Sequence, residues 1–244
     1  MHESTLIAGV IGGLGPAATI DFMNRVLELT PADCDQDHLR LLVDQNPRVP
    51  DRQQAMLKDG DTPGEALASM AAGLEAAGAD FLVMPCNAAH ISQRDIEDAI
   101  SVPFISIIDT TIDAIPAGVR SVGVLETPAC REAGLYRSAL QDQGMEYITL
   151  DTEAQDELMR LVYAIKGGDQ GGSVQRAMKS LAEVLTARGA GAIILGCTEI
   201  PLVLSDGDVG IPLIASTGAL AARTVALARH ELPLPNSVVR TEKC

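Results

Sequence analysis

The feature that most constrains this chain is a pattern that occurs twice. An apolar run ends in a cysteine at FLVMPC, residues 81–86, and again at AIILGC, residues 192–197. Gly9-Val10-Ile11 precedes the first and Gly123-Val124-Leu125 the second, at separations of 77 residues (Gly9 to Cys86) and 74 residues (Gly123 to Cys197). Each cysteine is followed by a Pro and a further apolar run, PFISII after 17 residues and PLIAS after 15. Four matches in one order at nearly one spacing read as an internal duplication of one structural unit.

The unit is a βα repeat, since short apolar runs alternate with longer amphipathic stretches. Strands are expected over Leu6–Ile11, Leu39–Val43, Phe81–Met84 and Phe104–Ile108, then over Val122–Leu125, Tyr147–Leu150, Ala192–Leu195 and Leu213–Ala215. Helices are expected over Thr62–Ala77, Ser92–Ile100, Cys130–Gln143, Val174–Arg188 and Ala219–His230, with Ile112–Gly118 as the crossing between halves. The expected fold is α/β: two similar lobes, each a parallel sheet flanked by helices, with a cleft between them. Residues 1–116 and 213–244 are assigned to the first lobe, its C-terminal helix returning to it, and 117–212 to the second. Hydrophobic residues make up 47% of the chain and aromatics only 2%, so the core must be aliphatic, as suits strands covered on both faces.

Ligands of parallel α/β sheets bind beyond the carboxyl ends of the strands, where both cysteines sit. On facing lobes, Cys86 and Cys197 would stand on opposite walls of one cleft. Two groups so placed suit inversion of a stereocentre, one removing a proton while the other supplies it from the opposite face. A free thiol with a pKa of about 8.5 can serve as base or acid, and a helix start after each cysteine would favour the thiolate. Cys34, Cys130 and Cys244 lack matched partners; Cys130, close to the Gly123–Thr127 turn, is the one of these that could approach the cleft.

Several classes are disfavoured. A formal net charge of −15 and few aromatics argue against a nucleic-acid partner or an acidic membrane surface. Five cysteines include no C-x-x-C pair and no metal-like spacing, no apolar run is long enough to span a bilayer, and no signal-peptide pattern opens the chain. A cytoplasmic protein with free thiols is expected. Gly12-Gly13-Leu14-Gly15-Pro16 permits a tight turn near a ligand but is not the dinucleotide fingerprint.

MPCNAAH at 84–90, GCTE at 196–199, GVIGGLGPAAT at 9–19 and NPRVPDR at 46–52 together resemble the aspartate/glutamate racemase family, across nearly the whole chain. The resemblance implies an isomerase, an amino-acid racemase needing neither pyridoxal phosphate nor metal, with Cys86 and Cys197 as its two acid/base residues. It implies that Arg52 holds the substrate's side-chain carboxylate, with Arg48 in reserve, and that Lys166 (in YAIKGG) is a substrate-binding lysine. Asn87, Thr127 and Thr198, all also suited to capping helices, match positions that hold the α-carboxylate and amino group. Leu14 in the glycine loop, Ala88, and Glu199 as a partner of Cys197 or the amine complete the expected site. His90 is expected to support the loop and Glu126 to add negative charge nearby. Ala88 stands where the resemblance has a threonine, so one substrate-facing hydroxyl is missing; aspartate leads, with glutamate or another dicarboxylic amino acid as alternatives. The partner expected is a small amino acid, with a homodimer as the family's common state. A two-lobed binding protein for a small acid would share the architecture without using the thiols.

Overall fold

The computed structural model describes residues 5–57 and 62–235. The first sheet contains β1 (Ala8–Gly12), β2 (Leu41–Gln45), β3 (Phe81–Val83) and β4 (Phe104–Ile105); the second contains β5 (Ser121–Glu126), β6 (Glu146–Ile148), β7 (Ala192–Gly196) and β8 (Leu213–Ala215). Their orders are β2-β1-β3-β4 and β6-β5-β7-β8, parallel throughout. The duplication extends to register. Gly9 lies between Leu42 and Leu82, and Gly123 lies between Ile148 and Ile193. A side chain on Gly9 would meet Leu74 and Ala79, and one on Gly123 would meet Leu185 and Ala190. Both glycines let a helix and a turn press onto the sheet at the same point of each lobe.

The helices are α1 (Pro16–Leu29), α2 (Arg52–Leu57), α3 (Gly64–Ala76), α4 (Gln93–Ala99), α5 (Ile107–Asp113), α6 (Pro128–Glu132), α7 (Leu135–Asp142), α8 (Thr152–Lys166), α9 (Gly172–Ala187) and α10 (Ser216–Ala228). Strand alternation divides the core. Val10, Phe81, Val83, Val122, Val124, Ala192 and Ile194 face a central cluster completed by residues of α1, α5, α7 and α10. Ile11, Leu82 and Met84 face α3 and α4, and Leu125, Ile193 and Leu195 face α8 and α9. The central cluster thus belongs to both lobes. Each fully buried Leu, Ile or Phe contributes about 1.5–3 kcal/mol, so this shared layer binds the halves strongly.

Five expectations change. Leu213–Ala215 pairs with β7, so the second sheet runs past residue 212 and the return to the first lobe begins at Ser216. There α10 packs on α1, and Leu6 N–H donates to Ala228 C=O at 2.9 Å. The run from Phe104 leaves the sheet after Ile105, because Ser106 caps α5 by accepting from Asp109 N–H. The single helix expected over 130–143 is two, split at Gly134, whose φ of 69° is a left-handed conformation that favours glycine. Helices α1 and α8 occupy stretches with no expected element. Finally, only Cys86 is followed by a helix, a 3₁₀ turn over Ala88–Ser92 running into α4; Cys197 is followed by a short 3₁₀ turn over Ile200–Leu202. Cys244 lies outside the described residues.

Candidate active site

In each sheet the chain reverses its winding at β1/β3 and at β5/β7, and crevices at such switch points bind ligands. The loops after these four strands meet in one small cleft. Leu14 and Cys86–Ala88 come from the first lobe, Thr127 and Gly196–Glu199 from the second. Arg52 enters at the start of α2 and Lys166 at the end of α8. All ten residues singled out in the sequence therefore line one cavity. Arg48, the reserve cation, is exposed and does not line it.

The cleft also takes residues the sequence did not single out. Met159, Val162 and Tyr163 project from the same face of α8 as Lys166, at helical spacing. The Asp151 cap and the buried Leu158, Leu161, Val162 and Ile165 are the sequence signals for that helix. Gln53 lines the cavity and accepts from Ala129 N–H at 3.0 Å, joining the lobes.

Both cysteines are buried, Cys86 6% and Cys197 5% exposed. The Cys197 thiol donates to Glu199 Oε2 at 3.0 Å, and Glu199 Oε1 pairs with Lys166 Nζ at 3.2 Å. Burial and then the Glu199 carboxylate push the Cys197 thiol well above its ordinary pKa. The expected helix dipole is absent there, and the local charges favour the thiol over the thiolate. Burial works against the Lys166 ammonium, but Glu199 and the two cysteines outweigh it and raise its pKa. The same position beside Cys86, two residues on, is Ala88, which has no ionisable group.

Arg52 donates to the carbonyls of Leu14 (2.7 Å), Pro50 (3.2 Å) and Val49 (3.4 Å), clipping the segment before α2 to the glycine loop. In that loop Gly13 has φ 87°, and any Cβ there would come 2.5 Å from the Asn46 backbone. A Cβ on Gly15 would strike Glu199 Oε1, so this glycine makes room for the carboxylate that holds Cys197.

Thr127 both caps α6, accepting from Cys130 N–H, and lines the cleft. Asn87 and Thr198 cap nothing. The Thr198 hydroxyl approaches Glu199 at 3.5 Å. Asn87 Oδ1 accepts from Tyr136 at 2.5 Å, and its Nδ2 donates to Ser216 Oγ at 3.0 Å.

His90 is fully buried and supports the loop. Its Nε2 accepts from Ile107 N–H at 3.0 Å, so Nδ1 carries the proton and donates to Cys86 C=O at 2.8 Å. Burial lowers its pKa to about 4 despite that backbone bond. Glu126 lies behind the wall, accepting from Tyr147 at 2.5 Å, and burial raises its pKa. It is not among the residues that line the cleft. Cys130 is buried close to Glu126 and outside the cavity lining.

A family model for Asp/Glu/hydantoin racemases matches residues 11–224. The chain is 31% identical over 224 residues to the broad specificity amino-acid racemase RacX of Bacillus subtilis (strain 168), covering 89% of this chain and 96% of that one. It superposes on Picrophilus torridus aspartate racemase with a TM-score of 0.80 at 30% identity, over 94% of this chain and 96% of the other. Glutamate racemase isoform RacE1 from Bacillus anthracis shares the fold, with a TM-score of 0.64 at 20% identity over 97% and 86%. Among the described residues no helix is long and apolar enough to cross a membrane.

Proposed function

This chain belongs to the Asp/Glu/hydantoin racemase family, and from that premise we propose that it interconverts the enantiomers of an acidic amino acid, aspartate first, by two-base proton transfer between Cys86 and Cys197 without a cofactor. The observation that carries the proposal is the pair of buried thiols at matching strand ends, on the walls of one cavity.

One cysteine, as thiolate, takes the α-hydrogen: the C–H bond breaks, an S–H bond forms, and the electron pair delocalises into the substrate carboxylate. The other, as thiol, returns a proton to the opposite face, leaving the inverted amino acid and the thiolate on the second sulfur. Reversal uses the same groups in exchanged roles. A thiolate is a weak base for this hydrogen, so hydrogen bonds to the developing enediolate and exclusion of water must lower the barrier. Backbone N–H groups after each cysteine, the Thr127 and Thr198 hydroxyls and the second N–H of Asn87 are the donors for the α-carboxylate. Glu199 receives the ammonium, and Arg52 and Lys166 face the distal carboxylate. Ala88 leaves more room and one hydroxyl fewer than a threonine, which favours a range of dicarboxylic substrates, glutamate included.

The test is incubation in deuterated water with L- or D-aspartate, then with other acidic amino acids. Deuterium at the α-carbon with inversion from either enantiomer is expected, and Cys86→Ala and Cys197→Ala should each abolish interconversion. Absence of exchange across the panel would sink the proposal and leave a two-lobed binding protein. A single-cysteine variant with full two-way activity would remove that cysteine from the pair of bases.

A further inference from the structure

The hydrogen bonds around Asn87 form a chain that leads from one cysteine to the other. Asn87 is the residue after Cys86. Its Nδ2 donates to Ser216 Oγ at 3.0 Å, and Ser216 Oγ donates to Leu195 C=O at 2.9 Å. Leu195 lies on β7, two residues before Cys197. A hydroxyl has one hydrogen, and Ser216 gives it to Leu195, so Ser216 must accept from Asn87. That fixes the amide: its nitrogen faces Ser216, and its oxygen faces the Tyr136 hydroxyl, 2.5 Å away. Asn87 is 2% exposed, and Ser216 and Tyr136 are fully buried. Water therefore cannot readily replace a broken link.

We propose that Asn87 and Ser216 are a strap that sets the gap between the two cysteine-bearing strand ends, and that Tyr136 and Ser216 are positioning residues for the reaction. The inference rests on the two-base reading, in which both sulfurs must reach one α-carbon from opposite faces. Misplacement of reacting groups by about 1 Å can cost about 100-fold in rate. A strap anchored next to one sulfur and two residues from the other controls that distance directly.

The strap is one-sided. In the duplicated frame the positions matching Asn87 and Ser216 are Thr198 and Ile107. Thr198 turns to Glu199, and Ile107 has no hydroxyl, its N–H bonding His90 within its own lobe. Tyr136 lies 114 residues after Phe22, the spacing that relates Gly9 to Gly123, and both rings are fully buried. The second lobe has thus added one hydroxyl to a shared core ring, and that hydroxyl orients Asn87.

The experiment uses Ser216→Ala and Tyr136→Phe in the full chain, starting from one enantiomer in deuterated water. Deuterium is followed separately in the inverted product and in the remaining starting enantiomer. In the unaltered protein, deuterium should enter chiefly with inversion. In Ser216→Ala inversion should fall by about 10- to 100-fold, while the first cysteine still abstracts and returns protons on its own face. The ratio of exchange with retention to inversion should then rise at least about tenfold, with a smaller rise in Tyr136→Phe. A general loss of packing would lower both processes together and leave the ratio alone. An unchanged ratio in either folded variant overturns the strap; should Ser216→Ala fail to fold, Tyr136→Phe decides. An unaltered protein that exchanges no acidic amino acid fails the two-base reading itself, before any variant is made.

Discussion

The Cys197 thiol donates to the Glu199 carboxylate across 3.0 Å, while the matching place beside Cys86 is held by the methyl of Ala88. The two strand ends match, but the charges beside them do not. Burial and then Glu199 hold the Cys197 pKa up, so under the proposed two-base reaction abstraction by that sulfur calls for a higher pH. Glu199→Gln removes the charge and should lower the Cys197 pKa. The kcat/KM for the enantiomer deprotonated by Cys197 should then rise at lower pH than in the unaltered protein, with the opposite direction shifted less. Profiles of kcat/KM for both enantiomers check this; two unmoved profiles would count against it.

His90 gives an acid limb to stability. Its folded pKa of about 4 is below its value of about 6.5 in an unfolded chain. Between these pH values the unfolded chain binds a proton that the folded one does not. Stability should be complete above about pH 6.5 and should fall by about 3 kcal/mol by pH 4 from this group. His90→Gln retains a donor and an acceptor but cannot titrate. Denaturant unfolding at a series of pH values should show a flatter acid limb for that variant.

Gly13 and Gly73 should respond oppositely to the same change. Gly13→Ala forces a side chain into a left-handed conformation and against the Asn46 backbone, at a cost of about 1–3 kcal/mol from the conformation alone. Gly73 is exposed in α3, and a methyl added there would meet nothing within 4 Å, so Gly73→Ala should stabilise by about 0.5–1 kcal/mol. Thermal unfolding should move down for the first and up for the second, by about 2–4 °C per kcal/mol.

The proposed function gives Arg52 a second duty beside its backbone clip. Its bonds to Leu14, Val49 and Pro50 place the loop for every substrate, whereas contact with a distal carboxylate serves only dicarboxylic ones. Arg52→Ala should therefore weaken all substrates and dicarboxylic ones about tenfold further. Comparison of kcat/KM for dicarboxylic and monocarboxylic amino acids separates the duties; equal losses would leave only the clip.

Much of this was legible in the sequence because the duplication aligns its own parts. FLVMPC and AIILGC could be read as matching strand ends, and the loops following matching strand ends meet in a doubled parallel fold. What was not legible is long-range or local to helices. Ser216 lies 129 residues from Asn87 and Tyr136 49 residues from it, and no spacing rule reaches that far. The break at Gly134 and the short turn after Cys197 depend on packing against neighbouring elements, which periodicity does not report. Nor does sequence alone show that Arg52 spends its donors on backbone carbonyls.

Helices α5 and α10 follow the last strand of their respective sheets, and both enter the central layer, where α5 packs on α7 and α10 on α1. Each half thus ends in a helix placed over the other. A half-length chain of this design would leave an oily face bare, and two such chains could cover it by trading their closing helices. In a pair of identical chains the two thiols would have to be twins. Joining them end to end lets one sulfur acquire a carboxylate and the other a methyl, so that a machine for two mirror-image molecules need not itself be even-handed.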